Sequence, residues 1–131
     1  MSAITEAKVA SGFYLVELGT LVQENGTSAA VEVPGDGPRL FVCTLVIHEH
    51  IEQESLEVSL WGSSDAVDWG TQPILKLPQR FYRGTTKMVL DLRPRPEIRW
   101  LQARWDVNRW GRGQPQPRFK FDLHLQPAER P

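Results

Sequence analysis

Cysteine and histidine are scarce in this sequence, and the scarcity excludes several chemistries at once. Cys43 is the only cysteine, and three histidines stand in 131 residues. One thiol makes neither an internal disulfide nor a thiolate metal cage. Cys43 lies inside the apolar run Leu40-Phe41-Val42-Cys43-Thr44-Leu45-Val46-Ile47, where a free cysteine behaves as a small buried hydrophobe. An excess of either charge is missing too. Against 16 Asp and Glu stand 15 Lys and Arg, a formal net charge of −1, so no molecule-wide field steers the chain to nucleic acid or an anionic membrane. Positive charge does gather between Arg80 and Arg118, while the first sixty residues are acidic. No run of about 18 apolar residues occurs and no basic-then-apolar leader opens the chain. Neither a membrane span nor a signal peptide is therefore expected, and a cytoplasmic setting is.

Catalytic motifs are missing as well. There is no Gly-x-Ser-x-Gly elbow, no His-Glu-x-x-His, no glycine-rich phosphate loop and no Cys–His pair with a third orienting group. A non-enzymatic protein without a cofactor is the expectation. Paired carboxylates of the glycosidase kind need no local motif and stay open.

What is present is strand periodicity. Leu56, Val58 and Leu60 alternate with Glu57, Ser59 and Trp61, and Phe119, Phe121, Leu123 and Leu125 alternate with Lys120, Asp122, His124 and Gln126. A period of two sends one set inward and the other outward on a strand. Further strands are expected over 13–18, 29–33, 40–47, 74–77, 87–92 and 98–107, each rich in branched or aromatic residues and punctuated by turn formers. Asn25-Gly26 and the 34–38 cluster Pro-Gly-Asp-Gly-Pro read as turns. The 40–47 strand is apolar on both faces, which predicts a central strand covered on both sides or lying beneath a loop. Ten glycines and ten prolines, spread along the chain, leave no amphipathic helix of 12 residues or more beyond the first ten positions. The fold class is thus all-β, a two-sheet antiparallel β-sandwich of about eight strands. One domain over residues 1–131 is expected, with 1–10 and 127–131 loosely ordered.

Between the strands, Ser64-Asp65-Ala66-Val67-Asp68-Trp69 carries a turn signature, because Asp accepts hydrogen bonds from backbone N–H groups two or three residues on. Together with Arg99-Trp100-Leu101-Gln102-Ala103-Arg104-Trp105, it resembles the middle of discoidin-type, galactose-binding-like domains over roughly residues 55–125. That resemblance implies a jelly-roll sandwich whose ligand is held by loops at one end, with the turn itself structural. Ala66 stands where the family pattern has glycine, and the family's paired cysteines are absent.

Several residue groups invite a functional reading. Arg99-Trp100, Arg104-Trp105 and Arg109-Trp110 recur every five residues, but odd spacing alternates sides on a strand, so no continuous stacking platform forms and packing is the plainer role. Trp110, in the glycine-containing loop 108–117, is the one expected to be exposed. With Arg112 in the same loop and Arg80, Tyr82 and Arg83 in the loop 80–86, it makes the set of candidate ligand contacts. His48 and His50 share a strand face on paper, with His124 as a third donor, but they lead into Ile51-Glu52-Gln53-Glu54, which reads as a solvated turn. Asp65 and Asp68 could face a calcium ion, although turn capping accounts for both. Two function classes follow. One is a carbohydrate-binding module using loops 62–70, 80–86 and 108–117; the other is a structural or assembly subunit, such as one of a phage-like particle, with protein partners and a homo-oligomeric state. Neither nucleic acid nor membrane is an expected partner.

Overall fold

The computed structural model describes residues 12–111, 113 and 116–128. Nine strands and no helix form among them: β1 (Phe13–Val22), β2 (Gly26–Thr27), β3 (Val31–Glu32), β4 (Leu40–Glu49), β5 (Glu54–Ser63), β6 (Leu75–Lys76), β7 (Gly84–Asp91), β8 (Trp100–Arg109) and β9 (Phe119–Pro127). Every pairing is antiparallel. One sheet has the order β1-β9-β4-β7, and in the other β2 and β3 both pair with β8, which is followed by β5 and β6. The pairing partners nest: β1 lies beside β9, β2 and β3 beside β8, β4 beside β7, and β5 beside β6. This is the wrapped hairpin of a jelly-roll-like sandwich.

All eight expected strands are present, and Gly26–Thr27 is the additional one. The Asn25-Gly26 turn does not form. Asn25 Oδ1 instead accepts the Val107 N–H at 2.8 Å, and Gly26 enters a strand with its Cα beneath the Trp105 indole, where a Cβ would meet ring atoms at 2.8–3.1 Å. Pro34 to Gly37 does turn, with the Gly37 N–H on the Pro34 carbonyl. At the C-terminal end Pro127 pairs with Phe41 and the Ala128 N–H donates to the Leu40 carbonyl. Residues 1–11 and 129–131 lie outside the described residues.

The core is the space between the sheets. Phe41, Cys43, Leu45 and Ile47 of β4 and Phe119, Phe121, Leu123 and Leu125 of β9 face Leu56, Val58 and Leu60 of β5 and Leu101 and Ala103 of β8. β4 is central, as its composition suggests, but only one of its faces is covered: Val42, Thr44 and Val46 on the other are half-exposed. Its outer apolar residues match the branched side chains that pleated strands favour rather than a second layer. Trp105 turns inward, edge-on to Phe121 at 5.7 Å, whereas Trp100 has the opposite parity, as the five-residue spacing requires.

Asp122 departs from simple alternation. Its parity points it away from the core, yet it is buried. β1 bulges between Val16 and Thr20, and β4 slips register between Ile47 and Glu49. The carboxylate fills both irregularities, accepting the Gly19 N–H at 3.1 Å and meeting His48 Nε2 at 2.5 Å. A buried carboxylate needs such partners to offset its lost hydration.

Candidate functional site

Antiparallel connection places three loops at one end of the sandwich. β4 leads into β5 through residues 50–53, the chain after β6 crosses to β7 through 77–83, and β8 leads into β9 through 110–118. The pairs Ile47↔Gly84, Glu54↔Arg109 and Val22↔Phe119 mark this end, and the Leu56↔Arg80 bridge brings the crossing segment to it.

A buried glutamate locks two of the loops together. Glu54 is 1% exposed, and its two carboxylate oxygens accept the Ile51 N–H and the Arg118 N–H, both at 2.7 Å. Above it the Trp110 N–H donates to the Gln53 carbonyl at 3.0 Å, and the Arg109 guanidinium donates to the Glu52 carbonyl. Gln53 adopts the left-handed region at φ 61°, the local cost of this tight connection. Arg118 pairs with Glu49 at 3.0 Å, with Lys120 on the other carboxylate oxygen at 3.7 Å, and these cations hold the Glu49 carboxyl below its usual range.

On this braced base stands an aromatic cluster. Trp110 is 57% exposed, Tyr82 60% and Phe81 39%. Phe81 meets the Trp110 ring at 6.2 Å and 75°, Tyr82 at 6.3 Å and 51°, and His50 meets Tyr82 at 5.3 Å and 74°. The Phe81–Trp110 and His50–Tyr82 contacts are edge-to-face, an arrangement favourable beyond the area it buries. Beside the cluster, Ile47, Arg80, Phe81, Tyr82, Arg83 and Gly84 help line an open hollow of about 330 Å3. Arg80 is steered by its Nε–H bond to Thr86 Oγ1 at 2.9 Å, and Arg83 is exposed.

The structure therefore brings together four of the five candidate contacts: Trp110, Arg80, Tyr82 and Arg83. Arg112 lies outside the described residues. The 62–70 loop does not join them. It leaves the far end of β5, nine residues from Glu54 and about 30 Å away at the usual rise of a strand. There Asp65 Oδ1 accepts the Ser63 hydroxyl and the N–H groups of Val67 and Asp68 at 2.9–3.0 Å, and Asp68 Oδ1 accepts the Gly70 N–H. The Asp68 and Val67 N–H groups lead in holding the Asp65 carboxyl below its usual range. Both aspartates are engaged as turn caps.

The histidines also part company. His48 is taken up by Asp122, His50 by Tyr82, and His124 packs edge-on to Tyr14 at 4.8 Å. Because β4 slips register after Ile47 and ends at Glu49, His48 and His50 do not share a strand face. Among the described residues no three His, Cys, Asp or Glu come together as a metal cage.

Glu54 and Phe81 stand at this end although no motif singled them out, and His50, a metal candidate on paper, packs against Tyr82 instead. Residues 51–54 read as a solvated turn, but Glu54 has the parity of Leu56, Val58 and Leu60, and that was the signal of its burial. On the outer face of the second sheet, the Arg104 guanidinium lies 4.0 Å over the Trp61 ring, a pairing of two outward positions on neighbouring strands.

No protein-family model matches the chain, and no curated protein matches its sequence. Among solved structures, it is similar to a chain in the structure of infectious bursal disease virus Gx strain, with a TM-score of 0.54 and 11% identity. The match covers 87% of this chain and 31% of that one. The likeness carries the β-sandwich, and the discoidin resemblance reaches no further than the same fold. No helix of the described residues is long and apolar enough to cross a membrane.

Proposed function

We propose that this chain is a structural or assembly subunit that makes protein–protein contacts through its aromatic end. The observation that carries the reading is the exposed Phe81–Tyr82–Trp110 cluster, in which the Trp110 N–H bonds the Gln53 carbonyl beside the Glu54 joint and Arg80, next to Phe81, bridges to Leu56 of β5. Exposed tryptophan, tyrosine and arginine on a rigid base are what protein interfaces concentrate at their centres. Preorganised loops also lower the ordering cost of association. Similarity of fold to part of a virus chain is in keeping with this reading.

A carbohydrate site remains the second reading, because Trp110, Tyr82 and Arg83 share one end of the sandwich. The ring angles of 51–75° count against it, since no two neighbouring rings offer a common flat face on which a sugar could lie. Sedimentation velocity over a wide concentration range tests the assembly reading. Oligomers that grow with concentration, and that a Phe81→Ser/Trp110→Ser double variant weakens without altering its melting, are the expected result. A wild-type chain that stays monomeric throughout overturns it. Glycan-array binding that the double variant abolishes would establish the carbohydrate reading instead.

A further inference from the structure

The sandwich leaves its sheet edges in unequal condition. In the second sheet, β2, β3 and β6 are two residues long, too short to template another strand. In the first sheet, β1 is broken by register shifts between Tyr14 and Val16 and between Val16 and Thr20. Short strands and bulges are how proteins blunt exposed edges. β7 has neither. It pairs with β4 in unbroken register over eight residues, contains no proline, and among the described residues has no strand on its other side. Its outer face carries Lys87, Val89 and Asp91, and Val89 is 62% exposed.

We infer that β7 is a homotypic pairing edge, joining antiparallel to β7 of a second copy about a two-fold axis at Val89. The inference rests on the assembly reading and names the partner. The sequence selects the register. In a sheet continued by a two-fold axis perpendicular to it, directly opposed residues share a face, so the axis passes midway between one residue and the same residue of the other copy. Centred on Val89, the pairing buries Val89 against its mate and sets each Lys87 opposite the Asp91 of the other copy. Centring on Lys87 would oppose two ammonium groups, which is unfavourable across a strand pair. Asp91 is held by a two-pronged contact with Arg93, at 2.8 and 2.9 Å, which fixes its orientation at the edge. That guanidinium holds the Asp91 carboxyl down to about 2, so the group stays ionised opposite the lysine. Joined in this way, two four-stranded sheets become one and β7 ceases to be an edge.

Cysteine trapping in the full chain tests both the contact and its register. Opposed residues of an antiparallel pair have Cα atoms about 4.5–5.5 Å apart, inside the range a disulfide spans. Under mild oxidation Val89→Cys should form a covalent dimer, while Thr85→Cys, exposed on the same face, should not, because its mate lies some eight residues away along the pair. The native Cys43 is buried and does not compete. Lys87→Glu opposes like charges twice and should weaken association about tenfold. If wild type associates but Val89→Cys links no better than Thr85→Cys, the β7 inference falls and the assembly reading stands. If wild type never associates, both fall.

Discussion

Ala66 adopts φ 65°, a left-handed conformation that side chains with a Cβ avoid. It sits in the Ser64–Trp69 turn at a position where glycine would adopt this conformation without strain. The turn tolerates alanine because Ser63 Oγ accepts the N–H groups of Asp65 and Ala66, and Asp65 caps the two residues that follow. Ala66→Gly should therefore stabilise the fold by about 0.5–1 kcal/mol, the strain relieved less the backbone freedom that glycine adds to the unfolded chain. Urea denaturation would show a higher midpoint at an unchanged slope, and a lower midpoint would contradict the account. Asp65 itself was legible from sequence as a cap. The identity of its partners was not, because it depends on how Ser63 leaves β5.

The strands were the most legible elements, since alternation reports directly which face is buried. Elements whose roles come from meeting others were not. Glu54 opens β5 and looks like part of an acidic connection, but its carboxylate is the joint between the 50–53 loop and the start of β9. Glu54→Gln replaces one acceptor with an amide donor facing a backbone N–H, leaving a buried donor unsatisfied at a cost of about 2–3 kcal/mol. Equilibrium unfolding should show that loss, and hydrogen exchange at Ile51 and Arg118 should quicken. Exchange unchanged at both amides would remove Glu54 from its bracing role. Asp122 makes the same point on the other side of β4: its parity predicts solvent, and only the bulges of β1 and β4 explain why it is buried.

For the whole molecule, nested pairing makes the core a joint product of the first and last strands, so β1 and β9 complete it only when the chain has wrapped fully. Cys43, on a central strand in that core, reports whether the wrapping is intact. Burial pushes its thiol up to about 12, so little thiolate is available near neutral pH. A thiol reagent at pH 8 should leave the native protein unmodified and label a single site in denaturant. Prompt labelling under native conditions would mean that the sandwich opens far more readily than its packing implies. The same wrapping leaves β7 at the margin of its sheet, and it sets the aromatic end, 77–83 included, where a neighbouring molecule can reach it.

By itself the sequence determined eight of the nine strands, and the inward faces of 56–60 and 119–125, because a period of two is a local property that survives without knowledge of neighbours. It also determined that Trp100 and Trp105 face opposite ways and that Asp65 and Asp68 are suited to cap a turn. Only the tertiary structure decided which loops share an end, separating 62–70 from 80–83 and Trp110 by the length of β5. It alone decided that His48 is occupied by Asp122, and that β7 is the long edge left regular. Those outcomes depend on strand order and on where bulges fall, and both are settled by contacts between residues far apart in the chain, which no local pattern records.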